Sequence, residues 1–283
     1  MASPVKSMSM ATIRVQRFNP DSDAKPHMQE FHVPNLQGTT LLDALHRIKH
    51  EQDGSLTFRR SCRHAICGSC AMNVNGRNLL VCKTPLQGQL DRKGVVTIKP
   101  LPYLPIIKDL VVDRSTFWNE YLRVKPWLVP PETSPEKEFR MSPEEVAALH
   151  NAETCIMCGA CYSACQVVAL NKKYIGPHAL LKSFLRVLDP RDTIPGERLA
   201  EVGTDEGVFR CHTIFNCIDA CPKNLNPTQA IETLRRLAEA DRVRGGEGGA
   251  AADDRRTFGC WGGRGRCRPC TVARVSLVSS CAD

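Results

Sequence analysis

Between residues 11 and 18 apolar and polar side chains alternate, Ile13, Val15 and later Phe18 against Arg14, Gln16 and Arg17. That is the period of a half-buried strand. A second strand is expected over residues 29–33, and Asn19-Pro20-Asp21-Ser22-Asp23 with Lys25-Pro26 supply turn chemistry between the two. Thr39 or Thr40 then caps a helix whose Leu41, Leu42, Leu45 and Ile48 share one face, which predicts packing on the sheet. Asn75-Gly76 is a type I′ hairpin signal between strands expected at 71–74 and 78–81, and residues 95–99 offer a last strand.

The pattern then changes. Pro100, Pro102, Pro105, Pro126, Pro130, Pro131 and Pro135 punctuate a passage with one short helix expected over 110–121, rich in Phe117, Trp118 and Tyr121. Ser142-Pro143-Glu144-Glu145 is a capping box with Pro at the first helical position, predicting a helix that runs into the cysteines at 155. Further helices are expected over 177–188, around 195–202, and over 227–242 with Asn226 as cap. Leu180, Leu181, Phe184, Leu185 and Leu188 lie at helical spacing and read as core. The second half is therefore expected to be all-helical.

At 283 residues, 42% apolar and 24% charged, the chain has the composition of a soluble globular protein with room for about two domains. No apolar run approaches a membrane span, and the first twenty residues resemble neither a signal peptide nor a transit peptide, so an intracellular location is expected. The last 43 residues hold eight Arg against five Asp or Glu, which leaves residues 1–240 with 30 basic and 25 acidic groups, a net +5. So mild an excess fits a solvated surface, an anionic membrane or an acidic partner. No basic stripe interleaved with aromatics suggests nucleic acid.

Fifteen cysteines without a secretory signal argue for metal rather than a disulfide framework. Cys62, Cys67, Cys70 and Cys82 follow C-x4-C-x2-C-x11-C, the plant-type arrangement for a 2Fe-2S cluster. Its loop curls closely around the metal, and Gly68 allows the approach. A structural zinc site is the alternative. His64 lies inside this loop, but with four cysteines present it reads as an exposed residue rather than a ligand.

Cys155, Cys158, Cys161 and Cys165 follow C-x2-C-x2-C-x3-C, the bacterial ferredoxin run, whose fourth cysteine serves a second cluster. The partner motif is Cys211, Cys217 and Cys221-Pro222, where Ile214 stands in place of a second cysteine. By that exchange rule Cys155, Cys158, Cys161 and Cys221 complete a 4Fe-4S cluster, and Cys165, Cys211 and Cys217 are left with a 3Fe-4S cluster. The fold class expected is α+β: a β-grasp 2Fe-2S ferredoxin-like domain over 11–105, a linker with a short helix over 106–141, and a helical bacterial-ferredoxin-like domain with two further clusters over 142–244. Residues 1–10 read as a disordered leader. The Gly-, Arg- and Cys-rich tail from 245 to 283 reads as disordered, with a four-thiolate zinc site at Cys260, Cys267, Cys270 and Cys281 as the alternative.

Taken in order, Phe58-Arg59-Arg60-Ser61-Cys62, Cys67-Gly68-Ser69-Cys70, Ile107-Lys108-Asp109-Leu110-Val111, the Cys155 run, Ile175-Gly176-Pro177, Phe209-Arg210-Cys211-His212-Thr213-Ile214 and Cys221-Pro222-Lys223 closely resemble the iron-sulfur subunit of succinate dehydrogenase, respiratory complex II. The resemblance covers about residues 11–243. It implies an electron wire: a flavoprotein partner carrying FAD oxidises succinate to fumarate, and single electrons pass through the 2Fe-2S, 4Fe-4S and 3Fe-4S centres to a quinone at cytochrome b-type membrane-anchor subunits. The chain would then sit peripherally on the cytoplasmic face of a bacterial plasma membrane, or on the matrix face of the mitochondrial inner membrane. No flavin or nucleotide fingerprint is present, so the substrate chemistry belongs on another chain.

The resemblance also implies that the 3Fe-4S surroundings form one wall of the quinone pocket, with His212 either donating to the quinone or supporting Cys211, and with Ile214 and Gln166 beside it. After Cys165 the family's usual proline and tryptophan pair are replaced by Gln166-Val167-Val168-Ala169-Leu170-Asn171. This segment looks more like the fumarate reductases and points to a low-potential quinone such as menaquinone. Ala65 stands where the family has glycine. The alternatives carried forward are fumarate reductase, a stand-alone ferredoxin and a zinc-stabilised interaction protein.

Overall fold

The computed structural model describes residues 10–133 and 135–246, so residues 1–9 of the expected leader and 247–283 of the expected tail, with its four cysteines, lie outside the described residues, while Met10 already belongs to the first strand and residues 245–246 to the last helix. Strand β1 (Met10–Arg17) buries alternate residues Ala11, Ile13, Val15 and Arg17. It pairs antiparallel with β2 (His27–Pro34), Ile13 opposite Phe31. On its other edge it pairs parallel with β5 (Val95–Lys99), Ile13 opposite Val96. The hairpin β3 (Ala71–Val74) and β4 (Arg77–Leu80) completes a five-stranded sheet in the order β2-β1-β5-β3-β4. Asn75 and Gly76, at φ +50° and +87°, form the expected left-handed turn.

Helix α1 (Leu41–Glu51) starts at Thr40, whose hydroxyl accepts from Asp43 N while the Asp43 carboxylate accepts from Thr40 N. Its apolar face, Leu41, Leu42, Ala44, Leu45 and Ile48, is buried. Together these elements make the expected β-grasp.

Alternation alone put Arg17 on the polar face, and there the structure differs. Arg17 points inward and is 8% exposed, because four hydrogen bonds hold its guanidinium. Nε donates to Asp109 at 2.9 Å, Nη1 to Asp53 at 2.5 Å and to Gln29, and Nη2 to Ser55. Asp109 also accepts from Phe18 N and Thr57 N. A buried guanidinium is tolerated where every donor finds an acceptor.

A two-stranded ribbon, β6 (Ile106–Lys108) and β7 (Val111–Val112), was not expected and delays α2 (Ser115–Arg123) to residue 115. In the helical half, α3 (Pro143–Ala148) has the Ser142–Glu145 capping box but stops short of Cys155. His150 and Asn151, at φ +49° and +57°, turn the chain there. Helices α4 (Gln166–Leu170), α5 (Pro177–Val187), α6 (Pro195–Val202), α7 (Asn216–Asp219) and α8 (Pro227–Gly246) follow. Asn226 Oδ1 accepts from Gln229 N at the start of α8, as a cap should.

Helix α5 packs against α2, α6 and α8, and its Leu180, Leu181, Phe184 and Leu185 are buried. Arg198 and Asp192 form a buried pair at 2.8 Å, and Arg198 also donates to the Val124 and Trp127 carbonyls, which fastens the linker to α6. The two halves meet where buried Asn78 donates to the Ala160 carbonyl at 3.0 Å. No helix among the described residues is long and apolar enough to cross a membrane.

Candidate functional site

The loop from Ser61 to Cys70 folds back on its own sulfurs. Arg63, Ala65 and Gly68 all adopt left-handed φ, +63°, +62° and +71°, so successive amides turn to one side. The N–H groups of His64, Ile66 and Cys67 lie 3.5, 3.3 and 3.3 Å from Cys62 Sγ, and Ala65 N lies 3.2 Å from Cys82 Sγ. The amides of His64, Cys67 and Ile66 pull the Cys62 thiol down to about 6. Burial instead pushes Cys70 up to about 12. Cys70 and Cys82 are buried at the sheet end, whereas Cys62 and Cys67 sit on the rim. His64 is exposed, with Nδ1 against the Cys62 carbonyl. Amides aimed at sulfur stabilise thiolates and sulfides, the environment a small iron-sulfur centre requires.

The seven remaining cysteines of the described residues border two recesses. Cys155, Cys158, Cys161 and Cys221 line the first, together with Met157, Gly159 and His178. Cys165, Cys211 and Cys217 line the second, together with Gln166, His212, Ile214 and Thr228. Neighbours in sequence, Cys161 and Cys165, are thus divided between the two, because the short 3₁₀ turn over Tyr162–Ala164 swings the chain from one recess to the other. Burial pushes Cys158 and Cys217 up to about 11, and Cys161 and Cys165 also rise, so these thiols give up their protons only to a metal. Leu225 N lies 3.4 Å from Cys221 Sγ, and the Thr228 hydroxyl 3.3 Å from Cys217 Sγ. Among the described residues no three His, Cys, Asp or Glu side chains converge on a single ion. The donor set is instead spread around spaces that polynuclear centres would fill.

Gln166, His212 and Ile214 are exposed along the second recess. Several side chains that shape these sites carried no signal in the sequence. Thr228 and Asn78 reach sulfur or the cysteine loop only through tertiary packing, and Tyr174 is buried against the second recess.

Residues 12–119 match a 2Fe-2S iron-sulfur cluster binding domain and residues 151–225 a 4Fe-4S dicluster domain. The succinate dehydrogenase iron-sulfur subunit of Paracoccus denitrificans is 40% identical over 242 residues, covering 85% of this chain and 92% of that protein. That of Coxiella burnetii (strain RSA 493 / Nine Mile phase I) is 44% identical over 227 residues, 79% of this chain and 95% of that one. The chain belongs to the succinate dehydrogenase iron-sulfur subunits. A Mycobacterium smegmatis Sdh1 complex, in the apo form, has a chain that superposes with TM-score 0.74 at 28% identity, over 84% of this chain and 98% of that one. As a succinate dehydrogenase iron-sulfur subunit the protein transfers electrons within a multi-subunit oxidoreductase, and its two halves are a 2Fe-2S domain and a 4Fe-4S dicluster domain.

Proposed function

We propose that this subunit carries three centres in series. Cys62, Cys67, Cys70 and Cys82 hold a 2Fe-2S cluster, Cys155, Cys158, Cys161 and Cys221 a 4Fe-4S cluster, and Cys165, Cys211 and Cys217 a 3Fe-4S cluster. The observation that carries the reading is the division of the seven later cysteines into sets of four and three around separate recesses. Ile214, aliphatic and beside the set of three, offers no fourth ligand, which supports a cluster lacking one iron. When bound, these clusters supply one-electron redox chemistry. The chain's own residues fix the thiolates, aim amide and hydroxyl hydrogens at sulfur, and exclude water by burial.

In this reading electrons enter at the exposed rim of the 2Fe-2S loop from a flavoprotein subunit carrying FAD. They leave at the second recess, where Gln166, His212 and Ile214 face outward and form part of a quinone site against membrane-anchor subunits. The cytoplasmic face of a bacterial plasma membrane is the location proposed. The segment Gln166-Val167-Val168-Ala169-Leu170-Asn171, which has no tryptophan, is what favours a low-potential quinone such as menaquinone in this reading. The 2Fe-2S unit is taken to span residues 11–105 and the two-cluster unit 142–244.

Iron and sulfide analysis with EPR of the extracted complex, titrated with succinate and then dithionite, tests the reading. Three spectrally distinct centres, with a 3Fe-type signal in the oxidised state, are expected. An oxidised complex without that signal overturns the ligand assignment.

A further inference from the structure

Arg114 precedes the first turn of α2, and its side chain crosses from the linker to the turn between Cys155 and Cys161. Nη2 donates to the Met157 carbonyl at 2.5 Å. A Cβ at Gly159, φ +84°, would lie 3.2 Å from the same nitrogen, so glycine leaves the space the guanidinium fills. Phe117 and Trp118 cover its face, with Cζ 4.5 and 5.3 Å from their ring centroids. Nε is shielded from water and has no hydrogen-bond partner among the described residues.

Among the described residues the guanidinium meets no carboxylate, only the Met157 carbonyl. Arg17 and Arg198, the other shielded guanidinia described above, each meet an aspartate at 2.9 Å or closer. Burial weighs against the charge of Arg114, Arg59 adds a like charge, and the groups placed to offset it are the sulfurs of Cys158 and Cys161 once ionised. The carboxylate beside it in sequence, Asp113, is turned to the N–H and hydroxyl of Ser115, at 2.9 and 2.6 Å. Arg114 is half-buried, and a partly desolvated cation without a counter-charge is unfavourable. Four thiolates around iron and sulfide carry net negative charge, and one-electron reduction adds to it.

We propose that Arg114 is the built-in counter-charge of the 4Fe-4S centre and sets its reduction potential, stabilising the reduced cluster more than the oxidised one. The inference rests on the assignment of Cys155, Cys158, Cys161 and Cys221 to that centre. Arg114 does not ligate iron. It acts through the field it places behind Cys158 and through the turn it holds by the Met157 carbonyl.

Potentiometric titration followed by EPR on the intact complex tests this, with wild type, Arg114→Gln and Arg114→Lys compared. Loss of the charge in Arg114→Gln should lower the reduced-to-oxidised ratio of the 4Fe-4S centre at a fixed potential by about tenfold, a downward shift of ~59 mV for one electron. The 2Fe-2S and 3Fe-type midpoints should stay in place, and Arg114→Lys, which keeps the charge, should keep the 4Fe-4S midpoint. An unmoved midpoint in Arg114→Gln, or equal shifts of all three centres, overturns the inference. If Arg114→Gln fails to assemble, Arg114→Lys decides, because a midpoint that falls while the charge is retained is equally fatal. Absence of a 4Fe-4S signal in the wild-type complex would instead overturn the ligand assignment beneath it.

Discussion

Replacing Gly68 by alanine tests the contact between the two cysteine loops most directly. Gly68 has φ +71°, a region that costs an L-residue ~1–2 kcal/mol. A Cβ there would also lie 2.8 Å from Cys158 Cβ, 2.9 Å from Cys158 Cα and 3.1 Å from the Ile156 carbonyl. Carbon atoms rest about 3.5–4.0 Å apart, so the loops must separate by ~1 Å. Forcing an extra methyl into a packed contact costs about 1–3 kcal/mol, which brings the total to ~2–5 kcal/mol. Gly76→Ala is the control, since φ is +87° and nothing lies within 4 Å. It should lose the conformational part alone.

The assay is the half-life of the cluster absorption and visible circular dichroism of the intact complex at one elevated temperature. Roughly 1.4 kcal/mol is tenfold in rate, so the steric part of about 1–3 kcal/mol should make Gly68→Ala bleach about 5 to 150 times faster than Gly76→Ala. Magnetic interaction between the 2Fe-2S centre and its neighbour should weaken as the loops part. Equal half-lives for the two variants would refute the steric argument.

Ala65 holds φ +62° inside the 2Fe-2S loop, so Ala65→Gly should gain up to about 1 kcal/mol, the relieved strain less glycine's greater unfolded-state entropy, read as slower loss of 2Fe-2S absorption on heating. Arg198→Met strands the Asp192 carboxylate in the core and should cost about 3–5 kcal/mol in denaturant unfolding, part of which the double variant with Asp192→Leu recovers. His178 is buried, its Nε2–H donates to the Phe117 carbonyl at 2.8 Å, and burial lowers its pKa to about 3. An unfolded chain binds that proton below its ordinary value of about 6.5 and the folded one does not, so stability present above pH 6.5 should fall as pH drops, by at most ~1.4 kcal/mol per unit. His178→Gln keeps an N–H donor but cannot titrate, and should flatten that slope in urea midpoints measured between pH 7 and 5.

Local chemistry is what the sequence settled by itself. Cysteine spacing is set by how far a loop can reach around a metal, so the plant-type and bacterial-type runs were legible without coordinates. So were the Ser142 cap, a threonine cap at 39 or 40 that the structure places at Thr40, the Asn75-Gly76 turn and the buried stripe of α5, since each depends on residues within a turn or two of one another. The early stop of α3 escaped because His150 and Asn151, although both residue types tolerate a left-handed φ, mark such a turn less sharply than glycine does. The β6–β7 ribbon escaped because its strands are too short to display a period.

Only the tertiary structure decided which polar groups are inside. Arg17 reads as a surface residue until Asp109 arrives from 92 positions along the chain to meet it. Arg114 carries no signal in the sequence, lying within the helix expected over 110–121, until the fold lays the cysteine turn across its guanidinium. Thr228 and Asn78 likewise gain a role only when α8 and the β3–β4 hairpin pack against the cysteine loops. Spacing along the chain names the ligands. Amides of the same loops supply most hydrogen bonds to sulfur, whereas the burial around those ligands comes from residues far apart in sequence, which only packing brings together.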